Sequence, residues 1–149
     1  MYAEGRGVVQ NNEEAVKWYR MAAEAGDDEG QRLLGWMYEY AKGVKRDHVE
    51  AVKWFRKSAA QGNYFGQFNL GIAYEYARGV KRDYAEAAKL YRKSAEQGYS
   101  YAQYNLGCLF LEGKGVVSND VEAVKWFRKA AAQGNKEATK ALEEIEGKK

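Results

Sequence analysis

Apolar residues recur at helical spacing along the chain, and the same pattern returns every 36 residues. In the copy at 63–98, one helix is predicted from Tyr64 to Ala77 and a second one after Asp83, without the alternation typical of strands. A glycine closes each copy, at Gly26, Gly62, Gly98 and Gly134. A fixed period in this range is typical of a solenoid, in which each unit buries its apolar face against its neighbours. The pattern therefore predicts an all-α solenoid of stacked helix-turn-helix units with about eight helices.

The start of each second helix carries a capping signal. Asp83 is followed by Glu86, at the spacing of a capping box in which each side chain satisfies an otherwise unpaired backbone amide. Its counterparts are Asn11 with Glu14, Asp47 with Glu50, and Asn119 with Glu122. The first helix is expected to end near Gly79, which precedes Val80 in the pattern of a left-handed helix stop. Gly7, Gly43 and Gly115 repeat that stop.

Alanine and aromatic residues four apart predict the buried face of the second helix. In the copy at 63–98 they are Ala87, Tyr91 and Ala95. Gly71 of the first helix lacks a side chain, which allows a neighbouring helix to approach closely. Gly35 and Gly107 hold the same place. The position of Leu90 is a tryptophan in the other units, at Trp18, Trp54 and Trp126. We expect these side chains to pack in the core, because an aromatic repeated at one position is typical of packing.

The repeated pattern is LGxxY or LGxxF, then GV, then Asp or Asn, then EAxxWF or a close relative, and finally QG. It resembles the pattern of Sel1-like repeats, which are relatives of the tetratricopeptide repeat. The resemblance implies a right-handed α/α superhelix and covers nearly the whole chain as a single repeat domain, 1–149. The predicted parts are a leading half-repeat at 1–26, repeats at 27–62, 63–98 and 99–134, and a C-terminal capping helix at 135–149. The chain departs from the family pattern at Leu90 and at Ala41 and Ala77, which replace the glycine present at Gly113.

Charge gives little support for nucleic acid or anionic lipid as a partner. The chain has 24 basic and 21 acidic residues, a formal net charge of +3, and the two signs are interleaved. A basic stripe nevertheless follows the second helices, at Lys17, Arg20, Lys53, Arg56, Lys57, Lys89, Arg92, Lys93, Lys125, Arg128 and Lys129. Local pairing with glutamates one turn earlier and the helix dipole account for much of this stripe. Nucleic acid binding is therefore not favoured.

No motif for catalysis or for a cofactor is present. The single His48 has no Ser or Cys partner motif, and Cys108 lies on a largely apolar face with no cation nearby in sequence. Neither metal-ligand spacing nor a glycine-rich phosphate loop occurs, and the GxG patterns beginning at Gly5 and Gly113 mark interhelical turns. We therefore expect no enzyme, no cofactor and no metal site, with His48 at the surface and Cys108 inert.

The sequence determines the compartment only weakly. One cysteine provides no internal disulfide, no apolar run reaches the roughly 18 residues of a membrane helix, and MYAEGRGVVQ lacks the features of a signal peptide. We expect a soluble chain without a transmembrane segment, with the cytoplasm slightly favoured. A periplasmic or secreted location requires that an N-terminal signal was removed. The first residues match the middle of a repeat, which is consistent with earlier sequence before Met1.

The family resemblance implies that the first helices line the concave surface of the superhelix. On a helical wheel these helices carry a second face that is unusually apolar and that varies between units. The predicted groove comprises Glu29, Arg32, Trp36, Tyr40, Phe65, Phe68, Asn69, Ile72, Tyr76, Tyr101, Tyr104 and Asn105. The amides suit a peptide backbone, the aromatic walls suit apolar side chains, and Arg32 suits a carboxylate. Stacking of adjacent hairpins is the alternative explanation for this apolar face.

These features predict a protein-protein interaction scaffold or adaptor that holds a partner's peptide or loop in the concave groove. The main alternative is self-association, because the second-type helix within 1–26 has no partner helix and can dock its apolar face on a second copy. The chain would then be a structural or engineered repeat module. Polyanion binding through the basic stripe is the weaker alternative.

Overall fold

The computed structural model describes residues 11–147, and these form eight α-helices without a strand. The helices are α1 (Asn12–Glu24), α2 (Asp28–Glu39), α3 (His48–Ala60), α4 (Tyr64–Tyr76), α5 (Tyr84–Glu96), α6 (Ser100–Glu112), α7 (Asp120–Ala132) and α8 (Lys136–Gly147). Each helix packs on the next one in the chain, so that α2 with α3, α4 with α5, and α6 with α7 form three stacked hairpins. The predicted all-α solenoid is confirmed. The turns predicted at Gly5 and Gly7 lie outside the described residues.

A glycine allows the close approach of the two helices in each hairpin. A methyl group added at Gly71 would lie 2.6 Å from the ring of Tyr91. The equivalent pairs are Gly35 with Phe55 and Gly107 with Phe127. The aromatic ring therefore lies directly against the backbone of the first helix. Ala87, Tyr91 and Ala95 are all buried, as predicted for this face of the second helix.

The start of each second helix forms half of the predicted capping box. The side chain of Asp83 accepts a hydrogen bond from the backbone N–H of Glu86 at 3.0 Å. The same bond occurs at Asn11, Asp47 and Asn119. The backbone N–H of Asp83, however, donates to the carbonyl of Tyr74 at 3.0 Å, because the hairpin brings that end of the first helix alongside. Glu86 instead pairs with Lys89, at 3.8 Å.

The left-handed stop of the first helices lies two residues before the predicted glycine. Helix α4 ends at Tyr76, and its cap is Ala77 with φ of 55°. Helix α6 ends in the same way at Glu112, and its cap is Gly113 with φ of 68°. Gly79 also has a positive φ, and a methyl group there would overlap the backbone carbonyl of His48 in the preceding unit. This glycine therefore lets the interhelical loop pack on the start of the preceding second helix.

A ladder of glutamine side chains joins successive units. Gln97 donates from Nε2 to the carbonyl of Gly62 and to Oε1 of Gln67, both at 2.9 Å. Gln61 and Gln133 make the equivalent bonds in the units before and after. In each case the acceptor carbonyl belongs to the glycine that closes the preceding unit. The ladder thus satisfies polar groups at the junction and fixes the spacing of the units.

The repeated tryptophans do not share one environment. Trp54 and Trp126 are buried, as is Leu90 at the same position, which agrees with the prediction. Trp18 is 51% exposed, so the prediction that it packs in the core is wrong. Trp54 packs on α1 and α2, the two helices before its own, whereas no helix precedes α1 within residues 11–147. The burial of this tryptophan therefore depends on the preceding unit and not on its own helix.

Candidate partner-binding groove

The predicted groove residues lie on α2, α4 and α6 or at their ends, and none of them is fully buried. The exposed members are Glu29, Trp36, Tyr40, Tyr76 and Tyr101, and the other seven are partly buried. Tyr76 and Tyr101 are each more than half exposed. Stacking of the hairpins therefore leaves this face accessible to a partner.

A cavity of about 330 Å³ opens on this face, between α2 and α4. It brings together five of the predicted residues, Tyr40, Phe68, Asn69, Ile72 and Tyr76. Four further residues line it: Glu39, Phe55, Ala73 and Arg78. We call these nine residues the groove cavity. The remaining seven predicted residues lie outside this cavity, on α2, α4 and α6.

A buried carboxylate lies in the groove cavity. Glu39 is 8% exposed, and its two oxygens have different partners. Oε1 lies 2.9 Å from Nδ1 of His48, and Oε2 accepts a hydrogen bond from Nη1 of Arg78 at 3.3 Å. The guanidinium of Arg78 also lies over the ring of Tyr76, 5.6 Å from its centroid. His48, which was predicted to be a surface residue, keeps 39% of its side chain exposed while it contacts Glu39.

Glu39 and Arg78 were not among the residues predicted for the groove. Glu39 lies next to the predicted Tyr40, but a lone glutamate in a helix normally indicates a solvated surface. Arg78 lies in the loop after α4 and so has no place on a helical wheel. The two residues are 39 positions apart, and only the stacking of two units brings them together. A basic residue recurs at this loop position in each unit, at Lys42, Arg78 and Lys114. That recurrence is the signal that could have identified Arg78 as a candidate.

The two asparagines of the groove differ in their surroundings. The Asn69 side chain lines the groove cavity, and its amide makes no hydrogen bond to another residue within 11–147. The Asn105 side chain lies near the Tyr91 hydroxyl, which donates to Oε1 of Glu75 at 2.7 Å. Burial and the Glu75 carboxylate raise the pKa of Tyr91, while the Asn105 side chain lowers it. Asn69 thus lines an open cavity, whereas Asn105 lies beside a polar group of the chain itself.

Tyr104 and Cys108 lie beside Asn105 on α6. Burial and a hydrogen bond with Cys108 raise the pKa of Tyr104 to about 12. Burial also raises the pKa of the Cys108 thiol. Because the thiolate is the reactive form, a raised pKa makes this cysteine a poor nucleophile at neutral pH. This is consistent with the inert thiol predicted from the sequence.

Arg32, predicted to receive a carboxylate, is already paired within the chain. It forms an ion pair with Glu29 and lies over the ring of Phe65, 4.4 Å from the centroid. Burial tends to raise the pKa of Glu29, but hydrogen bonds from Arg32 and Asn63 outweigh that effect and lower it. Phe65 continues into a cluster of rings with Tyr64, Phe68, Tyr99 and Tyr101. Arg32 therefore supports this cluster and offers less to a ligand than predicted.

The basic stripe of the second helices makes many local contacts. Four of its lysines pair with the glutamate one turn earlier, at 3.6 to 3.9 Å: Lys17, Lys53, Lys89 and Lys125. Two others, Lys57 and Lys129, lie over tryptophan rings, 4.9 Å and 4.7 Å from the centroids. Arg56 and Arg92 also lie over aromatic rings. These contacts give the stripe a structural role that does not require a polyanion.

A larger groove of about 870 Å³ lies between α7 and α8, and we call it the terminal groove. It is lined by Leu111, Asp120, Val121, Val124, Lys125, Arg128, Ala141, Glu144 and Ile145. Val124 and Ile145 hold the repeat positions that Val16 and Met37 hold beside Trp54. The terminal groove thus corresponds to the site where the tryptophan of a further second helix would pack.

Comparison with family models identifies the repeat. The Sel1 repeat model matches the chain at 1–27, 28–63, 65–99 and 100–135. The chain belongs to the Sel1 repeat family. The resemblance inferred from the LG, GV and QG positions is therefore confirmed. Sel1 repeat proteins are non-enzymatic scaffolds that generally mediate protein-protein interaction. A comparison with curated proteins found no match.

Solved structures of Sel1 repeat proteins are similar to the chain. A protective antigen of uropathogenic Escherichia coli strains that displays an SLR fold shares 42% identity, with a TM-score of 0.91 over 97% of this chain. A Sel1 repeat protein from Oxalobacter formigenes shares 38%, with a TM-score of 0.86 over 93%. The Helicobacter pylori cysteine rich protein B shares 26%, with a TM-score of 0.70 over 89%. The Sel1 chain spans 31%, 56% and 95% of these three proteins, in that order.

Two further observations limit the chemistry of the described Sel1 repeats. No group of three or more His, Cys, Asp or Glu side chains within residues 11–147 is arranged to hold a metal ion. None of the helices in that range combines the length and apolarity needed to cross a membrane.

Proposed function

We propose that this Sel1 repeat chain is an interaction scaffold that binds an extended segment of a partner protein in the concave groove, centred on the groove cavity. The observation that carries the proposal is the Asn69 amide, which has no partner within residues 11–147 and lies between aromatic walls. An amide donates and accepts at once, so it can bond both the N–H and the C=O of a peptide. The expected lack of enzymatic activity stays a prediction.

The walls of the groove cavity suit an apolar side chain of the partner. Tyr40 and Tyr76 are 46% and 53% exposed, and Phe68 and Ile72 lie deeper. A volume of about 330 Å³ accommodates one large side chain with part of its backbone. Because helices fixed by the glycine contacts and the glutamine ladder hold these side chains, little ordering is required on binding. The site is thus preorganised.

Peptide display against two matched variants tests the proposal. The double variant Phe68→Ala with Asn69→Ala removes the centre of the groove cavity, and Tyr104→Ala with Asn105→Ala removes the equivalent residues one repeat later. Both are first shown to fold by circular dichroism. We expect peptides enriched by the native chain to lose binding to the first variant and to keep most of it with the second. Equal binding by all three proteins would place the site elsewhere and contradict the proposal.

Self-association is the second candidate, and the exposed face of α1 favours it. Trp18 and Met21 are 51% and 62% exposed, and the terminal groove offers the repeat-equivalent position for Trp18. One difference opposes simple end-to-end stacking. Where α2, α4 and α6 have the glycine that contacts an aromatic ring, α8 has Glu143. A second copy packed at the same spacing would therefore bring the ring of its Tyr19 against that carboxylate.

Sedimentation equilibrium distinguishes the two candidates. Self-association through α1 predicts a mass that rises with concentration and returns to the monomer value in Trp18→Ser. A concentration-independent monomer mass would remove this candidate and leave the groove proposal intact. Replacing Glu143 with Gly provides the complementary test, since it restores the residue found in the other first helices.

A further inference from the structure

We propose that the groove cavity selects peptides that carry a carboxylate, and that Arg78 is the residue that binds it. This inference rests on the proposed function and adds the chemical class of the ligand. The carboxylate belongs either to an Asp or Glu side chain or to the C-terminus of the bound segment. An apolar side chain next to it lies between Tyr40 and Tyr76.

Hydrogen-bond donors outnumber acceptors among the available groups of the groove cavity. An arginine carries five N–H donors, and Arg78 makes one side-chain hydrogen bond within residues 11–147, from Nη1 to Glu39. The Asn69 amide adds two donors and one acceptor. Glu39 is the one carboxylate of the lining, and each of its oxygens already has a partner. A ligand carboxylate, which only accepts, therefore complements the groove cavity better than an ammonium group does.

Arg78 is held in place before any ligand binds. The buried Glu39 fixes one edge of the guanidinium, and the ring of Tyr76 lies against its face. The Arg78 side chain remains 41% exposed, so its other edge is accessible. A planar guanidinium held in this way binds a carboxylate through two parallel hydrogen bonds, which a lysine cannot reproduce. Glu39 thus acts as a positioning residue for Arg78.

The next repeat provides a matched control. Lys114 holds the position of Arg78, and Glu112 holds the position of Tyr76. Nζ of Lys114 lies 3.6 Å from a carboxylate oxygen of Glu112, so the basic group at this position already forms an ion pair within the chain. The expected carboxylate site is therefore confined to Arg78. Lys114→Gln removes the same charge as Arg78→Gln without affecting the groove cavity.

Three peptide libraries test the inference. The first has free C-termini and lacks Asp and Glu; the second is amidated and contains Asp and Glu; the third is amidated and lacks both. We expect the native chain to enrich peptides from the first or second library and none from the third, and the enriched library identifies the source of the carboxylate. Binding of an enriched peptide should fall roughly 10- to 100-fold in Arg78→Gln and stay unchanged in Lys114→Gln.

The outcomes separate this inference from the proposed function. Enrichment from the third library that survives Arg78→Gln but is lost in Phe68→Ala with Asn69→Ala would overturn the carboxylate and keep the groove. No enrichment from any library would overturn both. If Arg78→Gln does not fold, the native chain is titrated with each enriched peptide and with its twin, in which Asp or Glu is replaced by Asn or Gln, or the terminus is amidated. Equal affinity for the twins would then overturn the inference.

Discussion

Two levels of the groove are built on equivalent helices and differ in two hydroxyl groups, of which the one on Tyr91 lies beside the glutamate and the asparagine of its level. The Asn69 level consists of Glu39, Phe55, Phe68 and Asn69, and the Asn105 level of the equivalent Glu75, Tyr91, Tyr104 and Asn105. At the Asn105 level the Tyr91 hydroxyl donates to Glu75 and lies near Asn105. At the Asn69 level Phe55 has no hydroxyl, so Glu39 pairs with His48 and Arg78 instead.

This difference shows how a repeat protein can vary its surface without changing its scaffold. Phe55 and Tyr91 are both buried against a glycine, so either ring fills the same space between the helices. The additional oxygen of Tyr91 nevertheless gives Glu75 a partner within its own unit. Glu39 instead pairs with His48 and with Arg78 of the next unit, which brings Arg78 to the groove cavity.

The largest expected effect comes from removing the contact that supports the Asn105 level. A Cβ atom added at Gly71 would lie 2.6 Å from the ring of Tyr91, and a valine adds two further methyl groups there. We expect the free energy of unfolding to fall by about 3 kcal/mol, because overpacking forces the ring out of place. Urea denaturation measures this effect. Gly147→Val is the control, since nothing lies within 4 Å of a methyl group at Gly147, and a comparable loss there would contradict the explanation.

Removing the hydroxyl should make the Asn105 level resemble the Asn69 level. In Tyr91→Phe the Glu75 carboxylate loses the hydroxyl that donates to it, and we expect a loss of about 1–2 kcal/mol in the free energy of unfolding. Thermal unfolding followed by circular dichroism measures the loss. Phe127→Tyr at the next equivalent position is the comparison, because Leu111 there offers no carboxylate. Unchanged stability in Tyr91→Phe would show that the hydroxyl network contributes nothing.

Adding a hydroxyl should have the opposite effect at the Asn69 level. In Phe55→Tyr the new hydroxyl takes the position that the Tyr91 hydroxyl has beside Glu75 and Asn105, so it competes with a peptide for the Asn69 amide. We expect affinity for an enriched peptide to fall by about 1 kcal/mol, or roughly fivefold. Fluorescence polarisation with a labelled peptide measures the change. Unaltered affinity together with a correctly folded protein would argue against Asn69 as the central contact.

The smallest effect is expected in the loops that follow the two levels. Ala77 has φ of 55°, whereas Gly113 holds the equivalent left-handed position in the next unit. Replacing Ala77 with Gly relieves steric strain but loses chain entropy, so we expect a gain of about 0.5–1 kcal/mol in the free energy of unfolding. Gly113→Ala should produce a loss of similar size. Urea denaturation of both variants checks the pair, and a loss in Ala77→Gly would contradict the strain argument.

The sequence by itself determined the period, the helical hairpins and most of their boundaries. Those features depend on signals that act within a few residues, such as the acceptor side chain of Asp83 three residues before the N–H of Glu86. The role of the glycine in the LG pair could also be predicted from the sequence. In each unit the missing side chain, as at Gly71, lets the aromatic ring of the next helix lie against the backbone. The second half of the capping box, a bond from the Asp83 amide to the Glu86 side chain, was predicted but does not form. The Asp83 amide instead donates to a carbonyl of the preceding helix.

Only the tertiary structure decided which repeated residues are buried, paired or available. Trp18 and Trp54 have nearly the same local sequence, but one is exposed because its burial depends on a preceding unit. Glu39 and Arg78 meet only when two units stack, and Arg32 pairs with Glu29 next to a ring from another repeat. Repetition therefore made the scaffold predictable, whereas contacts between units set the chemistry of the groove, because they join residues that are far apart in sequence.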